Sequence, residues 1–346
     1  MFLIGLLSLA AVGGAAYAMS DVFVTEDEPQ DIDISDENVD EISEGNFLEI
    51  GENVEEPAAP EHSTETGEPE PSTGTIISEF EGDLVIAGSD TADDLTGQDG
   101  DDQINGYGGD DKIDGGEGND VLHGDDGMDT LSGGQGDDIL HGEDGDDLLA
   151  GDEGDDALYG HSGEDHLDGG VGDDELYGGQ DNDKLTGGDG NDALQGGFGD
   201  DALDGGAGED ALFGGDGDDT LTGDDGEGEN ATDFLNGGAG NDTILADSAD
   251  IVTGGEGEDE IVLSPDADDE AVTVMDFQPG QDKLFISWDG QEDPDIQIET
   301  DIDNDDLTHV LIDGQNVAQL LGAEGMTPDD IQLITGAELA QLSTLG

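Results

Sequence analysis

Residues 133–150 read GGQGDDILHGEDGDDLLA, which is two consecutive copies of one nine-residue unit. A Leu or Ile returns at every ninth residue from Leu95 to Leu221, an Asp precedes each of them by two residues, and a Gly precedes each by seven. Fifteen consecutive units obey all three rules. A period this strict predicts a solenoid, in which each unit packs only on its neighbours.

Each unit divides into a turn and a strand. The first six residues of 133–141 include three Gly and two Asp and suit a turn with positive φ, whereas the last three suit a very short strand. Side chains alternate along a strand, so Leu140 faces inward while Ile139 and His141 face outward. Two units then make one eighteen-residue coil with two parallel sheets around a Leu/Ile core. The predicted fold is all-β: a right-handed parallel β-roll, a solenoid of nonapeptides, with a small C-terminal β cap.

The Asp at position six of each unit returns to the same edge of the roll one coil later. Two such charges, about 4.8 Å apart, repel by about 1–3.5 kcal/mol. A hard divalent cation between coils removes this repulsion, and Ca²⁺, which takes about six to eight oxygen ligands, fits better than Mg²⁺ or Zn²⁺. We therefore expect a calcium-free roll to be unstable and roughly one ion to bind per regular unit. The predicted ligands are Asp93, Asp102, Asp111, Asp120, Asp129, Asp138, Asp147, Asp156, Asp165, Asp174, Asp183, Asp192, Asp201, Asp210, Asp219, Asp233, Asp242 and Asp259.

The unit Gly-Gly-x-Gly-x-Asp-x-(large apolar)-x resembles the nonapeptide of the repeats-in-toxin (RTX) family, also called hemolysin-type calcium-binding repeats. The resemblance covers residues 88–262, and residues 275–284 (MDFQPGQDKL) resemble the segment that follows the repeats in many family members. It implies a parallel β-roll, calcium held between turns by the position-six Asp and by turn carbonyls, folding triggered outside the cell, and type I secretion. Thr91 and Asp181 depart from the Gly of position four, so their turns fit the pattern least.

The composition is extremely acidic. The 346 residues include 96 Asp and Glu but only three Lys and Arg, so the formal net charge is −93. Nucleic acid and anionic membrane surfaces are excluded as partners because both require positive charge, whereas cations are favoured. The chain contains no Cys, which excludes disulfides and thiolate metal sites.

Composition and periodicity together predict four segments along the chain. They are an apolar signal peptide or membrane anchor at 1–19, an acidic disordered spacer at 20–75, the β-roll at 76–262, and a C-terminal β capping and secretion domain at 263–346. Ile77 and Ile86 share the register of Leu95, so the roll is expected to begin near Thr75 with calcium-free strands. Residues 223–236 form a unit five residues too long, which is expected to bulge as a loop.

Residues 1–19 carry no charged side chain and would span about 28 Å as a helix. A cleaved signal peptide, with Ala16-Tyr17-Ala18 as its cleavage site, and an uncleaved anchor both fit this segment. A membrane contact is expected only through these residues, and only if they are retained.

Alternate units form opposite outer faces of the predicted roll, and the two faces differ in composition. The first face, which we call the aromatic face, carries at position nine Asn105, His123, His141, Tyr159, Tyr177, Gln195 and Phe213. The opposite face carries Thr96, Asp114, Ser132, Ala150, Asp168, Thr186, Asp204 and Thr222. Simple ladder stacking accounts for such rows, and a docking face is the functional alternative. His161 and His166 lie five residues apart but are expected to be solvated, because two residues do not complete a metal site.

No His-Glu-x-x-His and no Gly-x-Ser-x-Gly motif occurs in the chain, so we expect no catalytic site. The prediction is a secreted or surface-tethered extracellular protein with a structural role, whose partners are calcium ions and a cell-surface or matrix component. Two alternatives stay open: an adhesin or interaction module that uses the aromatic face, and a non-catalytic partner of a toxin or hydrolase on another chain.

Overall fold

The computed structural model describes residues 74–80, 82–223, 231–247, 249–264, 270–288, 294–301, 304, 306–323 and 325–335. All described residues belong to one compact unit, which lies within 66–346. The predicted apolar segment and nearly all of the predicted spacer lie outside the described residues. None of the described residues forms a helix long and apolar enough to cross a bilayer.

The described chain consists of β-strands and one 3₁₀ turn at Pro328–Asp330. The strands are β1 Thr75–Phe80, β2 Asp83–Ser89, β3 Asp94–Thr96, β4 Gln103–Gly108, β5 Lys112–Glu117, β6 Val121–Asp126, β7 Thr130–Gln135, β8 Ile139–Asp144, β9 Leu148–Glu153, β10 Ala157–Ser162, β11 His166–Val171, β12 Glu175–Gln180, β13 Lys184–Asp189, β14 Ala193–Phe198, β15 Ala202–Ala207, β16 Ala211–Asp216, β17 Thr220–Gly223, β18 Phe234–Ala239, β19 Thr243–Ala246, β20 Ile251–Glu256, β21 Glu260–Leu263, β22 Val272–Val274, β23 Lys283–Ser287, β24 Ile296–Thr300, β25 Leu307–Ile312, β26 Gln315–Leu321 and β27 Ile331–Ile334.

Successive strands of the repeat region alternate between two sheets. Among the described residues, the first sheet has 15 strands, in which β2, β4, β6 and the further even-numbered strands up to β22 lie side by side, and the second has 12 strands, which run from β3 to β27. Neighbours pair in parallel with a shift of one coil, so that Leu140 lies beside Leu158 and Leu158 beside Leu176. The prediction of an all-β parallel roll is confirmed.

The strands are longer than the unit alone predicts. β8 contains positions seven to nine of one unit and continues through the first three residues of the next, which leaves only positions four to six as a turn. A residue with positive φ stands inside each such strand, for example Gly134 at +113° and Glu143 at +82°. The backbone continues in the ladder there because its hydrogen-bonding groups find partners on the neighbouring coils.

The core is a single file of inward apolar side chains from each sheet. Leu140 and Leu158 are fully buried, and the outward Ile139 is 40% exposed. The position-one Gly residues, such as Gly142, are also buried, so the inward face alternates one large side chain with bare backbone. Each buried Leu stabilises the roll by about 1.5–3 kcal/mol.

The N-terminal end differs from the register prediction. β1 pairs with β2 in antiparallel fashion, so it forms a hairpin instead of the first coil. Ile77 is 63% exposed, whereas Ile86 is buried and pairs in parallel with Ile104. Equal spacing from Leu95 therefore misassigned Ile77, because the hairpin turn reverses the chain before a full coil is made.

The C-terminal strands continue both sheets and then close one of them. β22 and β26 extend the first sheet in parallel, and β25 and β24 add to it in antiparallel fashion. β23 and β27 extend the second sheet, and Phe277 is part of the hydrophobic core with 1% exposure. The antiparallel strands β25 and β24 end the first sheet beyond β26, where a solenoid cap is expected.

The overlong unit at 223–236 does not break the roll. β16 pairs with β18 across a spacing of 23 residues, as Leu212 beside Leu235, and the next pair, Leu235 beside Val252, has a spacing of 17. The predicted loop itself includes residues 224–230, which lie outside the described residues. The sheets therefore absorb both a longer and a shorter unit without a change of register on the inner face.

Candidate metal centre

Two files of buried aspartates run along the two edges of the roll, one at each turn between the sheets. The first file precedes the strands of the first sheet and contains Asp102, Asp120, Asp138, Asp156, Asp174, Asp192, Asp210, Asp233 and Asp250. The second file precedes the strands of the second sheet and contains Asp93, Asp111, Asp129, Asp147, Asp165, Asp183, Asp201, Asp219, Asp242, Asp259 and Asp282. All eighteen predicted ligand positions lie in these files.

One carboxylate oxygen of each aspartate links neighbouring coils. Asp138 Oδ1 accepts a hydrogen bond of 2.7 Å from the backbone N–H of Asp120, and the N–H of Asp138 donates in turn to Asp156 Oδ1 at 2.7 Å. The same bond repeats along both files, up to the N–H of Asp259 and Asp282 Oδ1. Each aspartate thus satisfies the turn N–H of the coil before it, which the ladder of main-chain bonds does not reach.

The second carboxylate oxygen is buried and accepts no hydrogen bond from any described residue. This holds for Oδ2 of Asp111, Asp120, Asp129, Asp138, Asp147, Asp156, Asp165, Asp174, Asp183, Asp192, Asp201, Asp219, Asp242 and Asp259. A buried carboxylate oxygen with no donor is costly, and native proteins compensate such groups with a partner or an ion. Their regular recurrence along both edges makes these oxygens candidate ligands for a row of cations.

The position-one glycines make room for this row. A Cβ on Gly115 would overlap Asp120 Oδ2 and would lie 2.6 Å from the carbonyl oxygen of Gly133. A carboxylate oxygen and a main-chain carbonyl oxygen therefore approach the same space from two successive coils. Hard oxygen donors of these two kinds are the ligands that Ca²⁺ takes in proteins.

Burial and mutual repulsion make these carboxyls unusually basic. The pKa of Asp138 is raised to about 7, chiefly by burial and further by the charges of Asp156 and Asp120, although the hydrogen bond from the Asp120 N–H lowers it. Burial likewise raises the pKa of Asp183 to about 8. Near neutral pH these carboxyls therefore need either a proton or a cation in order to remain buried.

Position five carries a second ladder that was not predicted from the sequence. The N–H of Asp137 donates to Asn119 Oδ1 at 3.2 Å, and the N–H of Asp155 donates to Asp137 Oδ1 at 3.3 Å. These side chains reach one coil forward, whereas the position-six carboxylates reach one coil back. The signal was present in the sequence, since Asp or Asn recurs at position five, and it explains why the turn favours those two residues.

Two members of the files, Asp250 and Asp282, were absent from the predicted ligands. Asp250 Oδ1 accepts from the N–H of Asp233 at 3.0 Å, and Asp282 continues the second file. Both begin an Asp-x-(Leu/Val) triplet, Asp250 to Val252 and Asp282 to Leu284, which would have identified them without the preceding glycines.

The last repeat is also closed by an aspartate from the segment that follows it. Asp276 accepts hydrogen bonds of 3.0 Å from the backbone N–H groups of Gly254 and Gly255, one on each carboxylate oxygen. The segment at 275–284 therefore contacts the repeats directly and supplies them with an additional carboxylate.

The aromatic face is a stack of rings that follows the first sheet. Ring centroids lie 4.6 Å apart between His123 and His141, 4.8 Å between His141 and Tyr159, and 5.1 Å between Tyr159 and Tyr177. His161 lies beside this stack on β10, whereas His166 is on β11 in the other sheet. The sequence neighbours His161 and His166 are therefore on opposite faces and share no site.

A scan against protein-family models matched the RTX calcium-binding nonapeptide repeat (four copies) at residues 87–122, 123–158, 151–185, 159–194, 195–227 and 227–261. No curated protein matched the chain. Among solved structures, the crystal structure of the extracellular lipase LipA from Serratia marcescens matched with 18% sequence identity and a TM-score of 0.19. That match covers 74% of this chain and 41% of the lipase chain, so this chain spans less than half of the length of that protein.

Proposed function

Because the chain belongs to the family of proteins with RTX calcium-binding nonapeptide repeats, we propose that it is an extracellular, non-enzymatic calcium-binding protein with a structural role. In this proposal, the roll folds when calcium binds outside the cell and then serves as a stiff acidic module.

The observation that carries the proposal is the row of buried Oδ2 atoms without a hydrogen-bond donor in both aspartate files. A bound Ca²⁺ ion would supply the missing partner, with position-six carboxylates and turn carbonyls of successive coils as ligands. Calcium takes about six to eight such oxygens at about 2.3–2.6 Å. The described turns offer no thiolate and only oxygen donors, which argues against zinc in these files.

We propose roughly one ion per regular unit. Fifteen ions would contribute +30 to the formal charge of −93 and leave about −63. The calcium-loaded protein would still be a strong polyanion, which keeps it soluble and prevents close approach to nucleic acid and anionic membranes. Calcium sites of extracellular modules bind at about 10⁻⁴–10⁻³ M, so the ion would be scarce inside the cell and saturating outside.

Circular dichroism of the full chain tests the proposal. At about pH 8 we expect a disordered spectrum in chelator and a β spectrum with a smaller hydrodynamic radius at about 1–10 mM Ca²⁺, the range in which extracellular sites fill. Mg²⁺ at the same concentration is the control and should not induce the change. Spectra that are identical in chelator and in calcium would refute the proposal.

A second candidate is an interaction module that uses the aromatic face. It is favoured by the ring stack and by a shallow groove beside it that Tyr177, Gln195 and Phe198 line. Changing Tyr159 and Tyr177 together to Ser should then weaken self-association or surface binding in calcium, as measured by sedimentation and by binding to immobilised cells. The matched control changes Thr186 and Thr222, on the opposite face, together to Ser. Equal behaviour of the two double variants and the natural chain would exclude this candidate.

A further inference from the structure

Three imidazoles and one carboxylate meet on the outer side of the first sheet, away from the aspartate files. His123 on β6 and His141 on β8 occupy position nine of successive coils, and Glu143 on β8 and His161 on β10 occupy position two. These four residues lie within a stretch of 39 residues, from 123 to 161. The parallel register places them on three neighbouring strands.

The donor atoms of these side chains are close together. His141 Nδ1 lies 3.1 Å from His161 Nε2, His161 Nε2 lies 3.9 Å from Glu143 Oε1, and His123 Nδ1 lies 4.0 Å from the same oxygen. Potential ligand atoms of His123, His141 and Glu143 all lie within 4.8 Å of one another. A tetrahedral ion with bonds of about 2.0–2.1 Å holds adjacent donors about 3.3 Å apart. The observed separations therefore require only small side-chain rotations to close around one ion.

The ring stack alone does not account for this arrangement. His123 and His141 are parallel at 3°, as in any ladder of outward rings. His161, however, is not a rung of that ladder, since its main chain pairs with Glu143 and it turns a ring nitrogen toward Nδ1 of His141. The His161 ring is inclined by 25° to the His141 ring, with centroids 5.4 Å apart, and its Nε2 lies near both His141 Nδ1 and Glu143 Oε1. Two ring nitrogen atoms and a carboxylate oxygen, all possible metal ligands, therefore lie close to one another.

We propose that His123, His141, His161 and Glu143 form a binding site for a single transition-metal ion of the zinc class, separate from the calcium sites in the turns. Imidazole nitrogen suits Zn²⁺, Cu²⁺ and Ni²⁺, whereas Ca²⁺ takes oxygen ligands, so the two kinds of site select different ions. The ion would join three successive coils on the outer face. This inference rests on the roll itself and not on the proposed extracellular role.

The electrostatic surroundings support metal binding there. Burial and the neighbouring His123 and His161 lower the pKa of His141, which favours the neutral imidazole that metals bind. The side chains of His161 and Glu143 are each 41% exposed, so an ion reaches the site from solvent. The strongly negative chain also raises the local concentration of cations.

Titration with Co²⁺, an optical substitute for Zn²⁺, tests the site in the full chain at saturating calcium, where the carboxylate turns are filled. We expect one Co²⁺ per chain with the visible absorption of a four-coordinate nitrogen-rich site, and displacement by one equivalent of Zn²⁺. His141→Ala and His161→Ala should each weaken Zn²⁺ binding by more than about 100-fold, because even changes outside the ligand shell cost about 10–100-fold. His166→Ala, on the opposite sheet, should bind as the natural chain does.

His141→Gln keeps a long side chain in the ring stack and replaces the Ala variant if that variant disturbs the roll. The calcium-dependent β spectrum shows whether a variant is folded. It should lose the Co²⁺ absorption while it keeps that spectrum. Binding by His141→Gln equal to that of the natural chain, or an equal loss in His166→Ala, would overturn the proposal. Absence of any four-coordinate Co²⁺ absorption from the natural chain at saturating calcium would overturn it as well.

Discussion

Replacing Asp138 by Asn separates the proposed metal-binding role of the aspartate files from their role in hydrogen bonding. Asn keeps an Oδ1 acceptor for the Asp120 N–H, which the natural side chain bonds at 2.7 Å. It exchanges the buried, partner-free Oδ2 for an amide and removes the charge. The substitution is therefore nearly isosteric and tests the carboxylate alone.

The expected effect has opposite sign with and without calcium. Burial raises the pKa of Asp138 from 3.8 to about 7, so at pH 8 an ionised Asp138 destabilises the calcium-free roll by on the order of 4 kcal/mol, which Asn avoids. In calcium, Asp138 lies between the turns of Asp120 and Asp156 and would serve two ions. Each ion contributes about 2.7 kcal/mol at a concentration of about 100 Kd, so Asp138→Asn should lose up to about 5 kcal/mol.

Urea unfolding monitored by circular dichroism tests the sign of the effect with and without calcium. In calcium at about pH 8 the free energy of unfolding should fall by several kcal/mol, and in chelator at about pH 5, where protons replace calcium, it should equal or exceed that of the natural chain. The matched control is Asp137→Asn, an exposed neighbour with the same change of charge, which should shift stability by less than about 1 kcal/mol in calcium. Equal losses in both variants would refute the reasoning, and so would a loss for Asp138→Asn that is the same in chelator as in calcium.

Three further predictions follow from the same geometry. Burial raises the pKa of Asp183 from 3.8 to about 8, so the folded calcium-free chain binds protons more tightly than the unfolded chain. Its β signal in chelator should therefore be strongest near about pH 4 and should be lost as the pH rises to about 8. The calcium concentration at the midpoint of folding should fall over the same pH range. Gly142→Ala places a Cβ against a position-six carboxylate and should weaken calcium binding, as measured by calorimetry. The control is Gly280→Ala, at a residue with φ of +86° and open space around it. It should cost only about 1–2 kcal/mol of backbone strain and leave calcium binding unchanged. Leu140→Ala should lower the free energy of unfolding in calcium by about 2–5 kcal/mol. Ile139→Ala, at the 40% exposed neighbouring residue, should lower it by less than about 1 kcal/mol. Similar losses for the two variants would contradict the assignment of Leu140 as the inward and Ile139 as the outward side chain.

Much of the fold was predictable because the repeat is locally consistent. The alternation that points Leu140 inward, the Gly and Asp of the turns and the eighteen-residue coil all follow from residues within one or two units. The predicted aspartates all lie in the two files, and their role as calcium ligands stays a prediction. Ile77 was placed wrongly because periodicity counts residues and does not detect a hairpin that reverses the chain.

The remaining features depend on how neighbouring coils meet. Asp282 joins the second file although its unit has no Gly at positions one and two, because β23 pairs with β21 across a spacing of 23 residues, as Leu284 beside Ile261. The position-five ladder has the same origin, since each of its bonds crosses from one coil to the next. Sequence spacing alone does not determine such bonds, because they depend on how each coil closes onto the one before it.

The sequence by itself therefore determined the β-roll, its inward Leu file and its turn carboxylates, because each of these is set by local backbone preference and by the pattern of apolar and polar residues. Only the tertiary structure decided which side chains meet across coils. It placed His161 with His141 and Glu143 and left His166 on the opposite sheet, although His161 and His166 are nearer in sequence. The physical reason is that the parallel register brings together residues about eighteen positions apart, whereas residues five positions apart are separated by a turn and face opposite sides of the molecule.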